Sequence, residues 1–351
     1  MNIDFSTDLV HGLLAWYDTC RRDLPWRHTL DPYRIWISEI MLQQTRVEAV
    51  KPYYERFLKA CPTVRDLADI PEEQLLKLWE GLGYYSRARN LQKAARIVAE
   101  QYNGQMPASY EALRALPGIG DYTAGAIASI AFGVRVPAVD GNVLRVLARF
   151  GAVREPITDP KTKAAFREAL LPLIPERAGD FNQALIELGA TVCGPNGEAQ
   201  CHACPLRTAC MAYAQELTHV LPVRAAKRPR RIEERTVLII RDENRTALCK
   251  RPDRGLLAGL YELPNLPGHA DEQGLVQALR DMGFEPLRLE RVEDSKHIFT
   301  HIEWHMIAYT VRIAPEFDGT CGLPGLSLID NEDLHAHYAI PSAFAAYMKY
   351  L

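Results

Sequence analysis

The sequence predicts a multi-domain chain in which an all-α amino-terminal domain precedes a smaller α+β carboxyl-terminal domain. Over residues 8–213 apolar residues recur every three or four positions, which is the spacing of amphipathic helices. Beyond residue 235 the pattern changes to short alternating runs that are typical of strands. A length of 351 residues also exceeds what one hydrophobic core usually organises, so two domains are expected.

Composition and charge bound the class of protein. A hydrophobic content of 48% is ordinary for a folded, water-soluble chain. No apolar run is long enough to span a membrane, and the first residues lack the pattern of a signal peptide. We therefore expect a cytoplasmic location and no membrane partner. The net charge of -3 neither favours nor excludes nucleic acid as a partner.

The predicted elements fall into three regions, residues 1–220, 221–235 and 236–351. The first shows roughly ten helices. The second, LPVRAAKRPRRIEER, is basic and proline-containing, so it reads as an exposed linker that either only tethers or also touches phosphates. In the third, TVLIIRDENRTALCKR predicts two strands joined by a turn, HIEWHMIAYTVRI predicts a later strand, and residues 271–283 predict a helix.

Four of the eight cysteines lie close together in the sequence, at Cys193, Cys201, Cys204 and Cys210. In a reducing compartment such a group indicates a metal site rather than disulfides. Four thiolates can hold either a [4Fe-4S] cluster or a tetrahedral zinc ion, and the spacing alone does not choose between them.

A glycine-containing turn, LPGIG, separates two predicted helices. Gly118 and Gly120 would let a partner approach the backbone, and the amides that open the second helix would bind phosphate oxygens. Such a hairpin positions a duplex without reading its sequence. A plain tight turn explains the motif equally well.

Two carboxylates stand out as candidate catalytic groups. The helical neighbours of Glu39 are largely apolar, so its carboxyl group should be desolvated and favour the protonated form of a general acid. A structural glutamate bonded to the backbone or to an arginine is the alternative. Asp140 precedes a helix, where it is expected to act as the N-cap, and it could also stabilise a developing cation.

Six ordered motifs over residues 8–212 together resemble one known family, the MutY-type adenine DNA glycosylases of the helix-hairpin-helix, iron–sulfur superfamily. The motifs are WISEIMLQQT, GLGYYSRARNL, LPGIGDYTAGAI, VDGNVLRVLAR, NQALIELGA and the cysteine loop. The resemblance implies a helix-hairpin-helix catalytic domain, double-stranded DNA with adenine opposite 8-oxoguanine or guanine as the substrate, and a monomeric enzyme of base-excision repair.

The resemblance also implies roles for residues at the catalytic centre. Glu39 would protonate N7 of adenine, Asp140 would stabilise the oxocarbenium-like sugar, and Tyr122 and Asn142 would orient these groups. Related lyases carry a lysine at the position of Tyr122, so a monofunctional glycosylase is implied. The adenine pocket would be lined by Trp26, Arg27, Leu42 and Glu187.

For DNA the resemblance implies that Gln44 and Tyr84 intrude into the base stack, and that Thr45 and Leu82 lie near the opposing base. It assigns the four cysteines to a [4Fe-4S] cluster. The first cysteine spacing departs from the family, which usually has six residues where this chain has seven, 194–200.

The carboxyl-terminal domain resembles the Nudix-like domain of that family, in RPDRGLLAGLYELP and in the segment Phe299-Thr300-His301. The resemblance implies that this segment contacts 8-oxoguanine, with Thr300 where the family most often has serine. An acidic Nudix box of the REVxEExG type is missing, so pyrophosphate hydrolysis is not expected. A lyase for oxidised pyrimidines and a non-catalytic DNA-scanning protein are the competing hypotheses.

Overall fold

The structure is a computed structural model that describes residues 6–195, 199–225, 229–314 and 325–351. The chain divides into two compact units. The first comprises Met1–Asp69 and Arg89–Lys227, and the second comprises Ile70–Ala88 and Arg228–Leu351. None of the helices in the described ranges combines the length and the apolar character needed to cross a bilayer.

The described residues up to 225 form twelve α-helices, where the sequence predicted roughly ten. They are α1 (Thr7–Cys20), α2 (Pro32–Leu42), α3 (Val47–Ala60), α4 (Val64–Asp69), α5 (Glu72–Leu78), α6 (Ser86–Gln101), α7 (Tyr110–Arg114), α8 (Asp121–Phe132), α9 (Gly141–Phe150), α10 (Pro160–Leu170), α11 (Ala178–Thr191) and α12 (Met211–Ala214). Short 3-10 turns cover Pro25–Arg27, Leu171–Leu173, Cys201–Ala203 and Arg207–Ala209. The shortest helices, such as α12, are too brief to show a 3.6-residue period in sequence.

Side-chain caps fix where the helices that carry candidate catalytic residues begin. The Asp31 carboxylate accepts a hydrogen bond from the Tyr33 amide and Pro32 is the first helical residue, so α2 starts there. Asp140 Oδ1 accepts from the amides of Asn142 and Val143, at 2.9 and 2.8 Å. The prediction that Asp140 is the N-cap of α9 is confirmed.

The helices of the first unit pack in an order that brings these positions into one region. Helix α2 packs on α8, α8 packs on α11, and α11 packs on α9 and α1. Leu147, Phe166 and Phe181 are completely buried in the core shared by α9, α10 and α11. Helices α2, α8, α9 and α11 therefore pack together although they are far apart in the sequence.

The second unit contains a mixed sheet of eight described strands. They are β1 (Arg231–Arg241), β2 (Arg245–Lys250), β3 (Tyr261–Glu262), β4 (Asn265–Pro267), β5 (Pro286–Arg291), β6 (Ser295–Ile298), β7 (Ile302–Ile313) and β8 (Leu326–Asp330). Helices α13 (Glu272–Asp281) and α14 (Asn331–His337) and the 3-10 segment Ser342–Tyr350 complete it. Strand β1 pairs in parallel with β7, and the other pairings are antiparallel.

Strand β1 separates two cores because successive side chains of a strand point to opposite faces. Val237 and Ile239 pack into a core that contains Trp304 and Phe344. Leu238 and Ile240 pack into the other, together with α13. The predicted strands around residues 236–250 and 302–313 and the predicted helix at 271–283 are confirmed, as is the two-part fold class.

The predicted linker at 221–235 needs one correction, because β1 begins at Arg231. Residues 231–235 pair in parallel with residues 302–306 of β7. Backbone pairing does not require apolar side chains, and at this end of β1 the side chains are exposed or only half-buried. Their charges therefore hid the strand from a reading based on hydrophobic pattern.

Helix α5 belongs to the second unit and is joined to its sheet and carboxyl-terminal segment by polar contacts. The Glu73 carboxylate accepts hydrogen bonds from Lys250 Nζ at 2.9 Å and from the Tyr261 hydroxyl at 3.1 Å. Lys77 Nζ donates to the carbonyl of Tyr338 at 2.9 Å. Two separate stretches of sequence therefore build this unit.

Candidate active site

The centre of the candidate site is a contact between Glu39 on α2 and Tyr122 on α8. The Tyr122 hydroxyl donates a hydrogen bond to Glu39 Oε2 at 2.6 Å. The Glu39 side chain is buried, with 8% of the residue exposed. The partner of Glu39 in this contact is a phenol rather than an arginine.

The surroundings of Glu39 favour its protonated form. Burial raises the pKa of Glu39 to about 7, and the hydrogen bond from Tyr122 opposes this rise. The negative charge of Asp140 raises the pKa of Glu39 further, while the Arg27 guanidinium lowers it. Glu39 is therefore partly protonated at neutral pH, which suits an acid that must both give and regain a proton.

Asp140 sits at the start of α9 and is half-buried. Its Oδ2 accepts a hydrogen bond from Asn142 Nδ2 at 2.7 Å, in addition to the two amides of the cap. Burial raises the pKa of Asp140, against the hydrogen bonds from Val143 and Asn142 and the charge of Arg145. A carboxylate held by several donors keeps one orientation, which an electrostatic stabiliser needs.

Arg145 connects this cap to the loop that follows α11. Its Nη2 donates to Asn142 Oδ1 at 2.9 Å and to the Gly189 carbonyl at 2.6 Å, and its Nε donates to the Cys193 carbonyl at 2.7 Å. Arg145 is not among the residues that the sequence motifs indicated. The available signal was the pair of arginines one helical turn apart in VDGNVLRVLAR, both of which are buried.

The fully buried Glu187 forms ion pairs with Arg27 and with the partly exposed Arg22, a residue that the sequence did not indicate. Arg27 Nη2 and Arg22 Nη2 both donate to Glu187 Oε2 at 2.7 Å. Glu187 Oε1 accepts from the backbone amide and Nε of Arg22, at 2.9 and 2.8 Å. Although burial opposes it, hydrogen bonds from Arg22 and Arg27 hold the pKa of Glu187 at about 2.

The two remaining candidates for the adenine pocket lie on the same unit. Trp26 is buried in the turn before α2, with its ring edge-on to Tyr54 at 5.5 Å between centroids. Leu42 is the last residue of α2 and is half-buried. Both residues are apolar, and Leu42 keeps part of its side chain accessible.

The end of α2 presents Gln44 to solvent in an unusual backbone conformation. Gln44 is exposed and has φ 62°, in the left-handed region that non-glycine residues rarely adopt. The Thr45 amide donates to the Leu42 carbonyl at 3.3 Å, and the Thr45 side chain is half-buried. The exposed Gln44 therefore lies in a turn that the hydrogen bond of the Thr45 amide closes.

The glycines of the hairpin between α7 and α8 serve different purposes. Gly118 has φ +78°, and a Cβ atom there would lie 2.7 Å from Asn90 Cβ. Gly120 is the N-cap of α8, and a Cβ atom there would meet nothing within 4 Å. A side chain at Gly118 would therefore collide with Asn90, whereas the fold leaves room for one at Gly120.

A charged cleft beside this hairpin was not foreseen from the sequence. Asp121 accepts hydrogen bonds from the Tyr110 hydroxyl, at 2.8 Å, and from Arg114, and Arg167 lies 3.0 Å from it. The Arg167 guanidinium also stacks over the Tyr110 ring. No sequence pattern links these residues, because α10 reaches the cleft from far along the chain.

Two DNA candidates, Leu82 and Tyr84, lie in the turn between α5 and α6 and differ in exposure. Leu82 is buried, whereas 51% of Tyr84 is exposed. Tyr84 also has a left-handed backbone, with φ 48°. Only Tyr84 therefore presents most of its side chain to solvent.

The segment Phe299-Thr300-His301 is the turn that joins β6 to β7. The Phe299 ring packs edge-on against His297 and Trp304, at 4.6 and 4.9 Å between centroids. The backbone amide of Arg231 donates a hydrogen bond to the His301 carbonyl at 3.1 Å. Thr300 and His301 are exposed. The turn therefore presents two polar residues to solvent next to a phenylalanine that packs against its neighbours.

The four predicted ligand cysteines come together in the first unit. Cys193, Cys201, Cys204 and Cys210 line one pocket with Arg149. Arg149 Nη1 donates to Cys193 Sγ at 3.2 Å. Among the described residues, no group of three or more potential ligand side chains converges as closely as a single metal ion requires.

Both parts of the chain are similar to known proteins. Residues 37–172 match a family model described as HhH-GPD superfamily base excision DNA repair protein, and residues 235–350 match a NUDIX domain model. An adenine DNA glycosylase of Mus musculus is 38% identical, over 86% of this chain and 70% of its own length. One from Buchnera aphidicola (strain Bp) is 35% identical, over 83% of this chain and 82% of its own length.

The chain belongs to the adenine DNA glycosylase family. Membership confirms the resemblance found in the sequence motifs, and it confirms an enzyme of base excision repair rather than a non-catalytic DNA-binding protein. The human adenine DNA glycosylase is 35% identical over 92% of this chain and 70% of its own length.

Solved structures place the helical part of this adenine DNA glycosylase family member among DNA repair enzymes. A thermostable thymine-DNA glycosylase has a TM-score of 0.54 and 32% identity, over 59% of this chain and 96% of its own. A trapped covalent intermediate of endonuclease III with DNA has a TM-score of 0.52 and 27% identity, over 60% of this chain and 96% of its own.

Proposed function

We propose that this chain removes adenine from DNA when adenine is paired with 8-oxoguanine or guanine, by hydrolysing the N-glycosidic bond. Family membership supports the reaction class. The observation that carries the proposal is the buried carboxyl group of Glu39, whose pKa is raised to about 7 and which is held by Tyr122 close to the charge of Asp140.

The first chemical step is protonation of the leaving base. Adenine is a poor leaving group, and a proton from Glu39 on N7 neutralises the electrons that move into the ring as the C1′–N9 bond breaks. A general acid whose pKa is near the working pH contributes roughly 10²- to 10⁴-fold to the rate. The pKa of Glu39 lies in that range.

The second step concerns the electron-poor sugar that bond breaking leaves behind. Asp140 stabilises this cation, either directly or by a transient covalent bond, in the manner of the second carboxylate of glycoside hydrolases. Asn142 fixes its orientation by donating to Oδ2. A water molecule then attacks C1′. The water oxygen forms the new bond to carbon, and a carboxylate accepts the proton that the water releases.

Tyr122 makes the reaction monofunctional. A lyase needs an amine that attacks the sugar, and at this position the chain has a phenol instead. Burial, together with the charges of Glu39 and Asp140, raises the pKa of Tyr122 well above its usual value, so the phenol stays protonated and donates to Glu39. Tyr122 therefore orients the acid.

The adenine pocket combines apolar surface with one fixed cation. Trp26 and Leu42 would supply the surface against which the flipped base packs. Arg27 would face the base edge, and Glu187 would act indirectly, because both of its oxygens already accept hydrogen bonds from Arg22 and Arg27.

Adenine must leave the duplex to reach this pocket, which costs a few kcal/mol of stacking and pairing. The Gly118–Gly120 hairpin and the amides that open α8 would bind the phosphate backbone. Gln44 and Tyr84 would enter the stack, which their exposure supports. Thr45 and Leu82 would lie near the opposing base, with the buried Leu82 packing behind the turn.

Recognition of the base opposite adenine would reside in the turn between β6 and β7. Phe299 anchors the turn, and the exposed Thr300 and His301 offer hydrogen-bonding groups. The serine-to-threonine difference from the family keeps the hydroxyl. A Thr300→Ala variant should lose preference for 8-oxoguanine over guanine while keeping adenine release.

A [4Fe-4S] cluster is the cofactor that we propose for Cys193, Cys201, Cys204 and Cys210. The four thiols share one pocket beside the cationic Arg149, and thiolates are the ligands that such clusters use. When bound, the cluster would staple the loop after α11. Purified protein should contain about four iron and four sulfide ions per chain, Cys204→Ser should lower both, and Cys249→Ser should not.

The decisive experiment measures adenine release from duplexes with adenine opposite 8-oxoguanine, guanine or thymine, for the wild type and Glu39→Gln. We expect release from the first two duplexes, little from the third, and none by the variant. Release of an oxidised pyrimidine, with a covalent adduct trapped by borohydride, would instead establish a lyase. Unchanged activity of Glu39→Gln would refute the role of Glu39 as the general acid.

We further propose that the protein is a monomer and works in the cytoplasm.

A further inference from the structure

The turn that carries Tyr84 has a left-handed backbone at three of its residues, one of which is the tyrosine itself. We call residues 81–84 the tyrosine turn. Within it Gly81, Gly83 and Tyr84 have φ of 96°, 69° and 48°. Glycine adopts such values freely, but for tyrosine the left-handed region costs energy and persists only where neighbouring groups impose it.

Arg87, at the start of α6, holds this backbone from behind. Its residue is only 8% exposed. The guanidinium Nη2 donates to the carbonyls of Leu82 and Gly83 at 3.0 and 3.1 Å. The Arg87 amide donates to the Tyr84 carbonyl at 2.8 Å. One residue therefore binds the carbonyls of three consecutive residues of the turn.

The same guanidinium also touches two aromatic rings. It lies 5.3 Å from the centroid of the buried Trp79 ring and 5.6 Å from that of Tyr84. Trp79 Nε1 donates to the Gly83 carbonyl at 3.1 Å, which fixes the ring beneath the turn. Cation–π contact thus joins the exposed Tyr84 ring to a buried support.

Burying the Arg87 guanidinium costs free energy because the charge loses its hydration. Burial lowers the pKa of Arg87 to about 10, so the charge is kept at neutral pH at a cost in stability. An apolar side chain would pack here at lower cost. What only the guanidinium adds is its hold on the carbonyls and on the Tyr84 ring.

We propose that Arg87 is a positioning residue for base extrusion, which sets the tyrosine turn so that the Tyr84 ring is aimed outward before DNA arrives. The inference rests on the proposed function, in which Tyr84 enters the base stack. Arg87 itself touches neither the adenine nor the sugar in this scheme and acts through Tyr84.

A double-mutant cycle tests this dependence. Single-turnover adenine release is measured for the wild type, Arg87→Met, Tyr84→Ala and the double variant, on a duplex with adenine opposite 8-oxoguanine. Arg87→Met should slow release about tenfold in the wild type and less than about twofold in Tyr84→Ala, because residues that act as a unit are non-additive. Equal losses in both backgrounds would overturn the proposal.

A second readout separates positioning from general destabilisation. Fluorescence of 2-aminopurine beside the target adenine reports unstacking, measured in a Glu39→Gln background so that no base is released. Arg87→Met should reduce the fluorescence rise, while Arg96→Met, which loses a bond from the same helix to the Ala68 carbonyl, should not. An unstacking signal that Arg87→Met leaves intact would overturn the proposal.

Arg87→Lys keeps the test decisive if the methionine variant fails to fold. Lysine retains the charge but lacks the planar group that stacks between two rings. We expect slower release and a smaller unstacking signal than in the wild type, and wild-type values would overturn the proposal. Absence of adenine release by the wild type itself would refute the proposed function instead.

Discussion

Tyr122 and Glu39, 83 residues apart in sequence, are joined by a hydrogen bond of 2.6 Å in which the phenol is the donor. This bond stabilises the carboxylate, while burial and the charge of Asp140 stabilise the neutral acid. The protonation state of Glu39 is therefore a balance of opposed effects, and single substitutions can shift it in either direction.

Tyr122→Phe should move the pH profile of adenine release. In the proposed mechanism the active form requires protonated Glu39, so release should fall as pH rises through the pKa of about 7. Removing the donor destabilises the carboxylate, raises this pKa further, and shifts the falling limb to higher pH. The profile is measured under single-turnover conditions. A shift to lower pH would show that Tyr122 does not stabilise the carboxylate.

Glu39→Gln should increase stability at high pH. The pKa of Glu39 rises from 4.5 in the unfolded chain to about 7 in the folded one, so stability is lost as pH rises between these values. Above pH 7 the variant should gain up to about 3 kcal/mol in free energy of unfolding. Near pH 4.5 the gain should vanish. Urea unfolding at both pH values measures this gain. A gain that does not depend on pH would show that the raised pKa of Glu39 is not its cause.

Glu187→Gln should cost on the order of 3 kcal/mol of stability, because it removes a fully buried carboxylate and leaves the largely buried Arg27 without its ionic partner. Glu48→Gln, which breaks an exposed pair with Lys51, is the matched control and should change stability by less than about 1 kcal/mol. The pKa of Glu187 is lowered from 4.5 to about 2, so its contribution is complete above pH 4.5 and is lost as pH falls toward 2. Similar costs for both variants in urea unfolding would contradict the role of burial.

Gly118→Ala and Gly120→Ala should separate fold from binding. At Gly118 the added methyl group meets Asn90 and φ is positive, so stability should fall by about 1–3 kcal/mol. At Gly120 it meets nothing, so stability should fall by about 1 kcal/mol or less, the cost of alanine at an N-cap. Gly120→Ala should nevertheless weaken duplex binding, measured by fluorescence anisotropy. Unaltered affinity would mean that no phosphate approaches there.

Local chemistry explains what sequence reasoning achieved. The desolvated environment of Glu39 followed from apolar neighbours one helical turn away, and the cap of Asp140 followed from residue type. The two-part fold followed from a change of period. Each of these inferences needs only residues that are close together in the chain.

The partners that were missed come from distant segments. Arg22 reaches Glu187 across 165 positions, and Arg167 reaches Asp121 from another helix. The strand at residues 231–235 was hidden because its pairing involves backbone rather than apolar side chains. The periodicity of apolar residues reports only local structure. It does not indicate which distant segments meet, so a single sequence does not predict these contacts.

Residues 70–88 are interleaved between two stretches of the first unit yet fold with the carboxyl-terminal sheet. Shortening the protein after residue 227 would consequently strip Glu73 of Lys250 and Tyr261, and Lys77 of the Tyr338 carbonyl. The carboxyl-terminal sheet and the turn at residues 299–301 would be lost, and α5 would keep its own sequence but lose these anchoring contacts, so a single truncation would affect both stretches of the second unit.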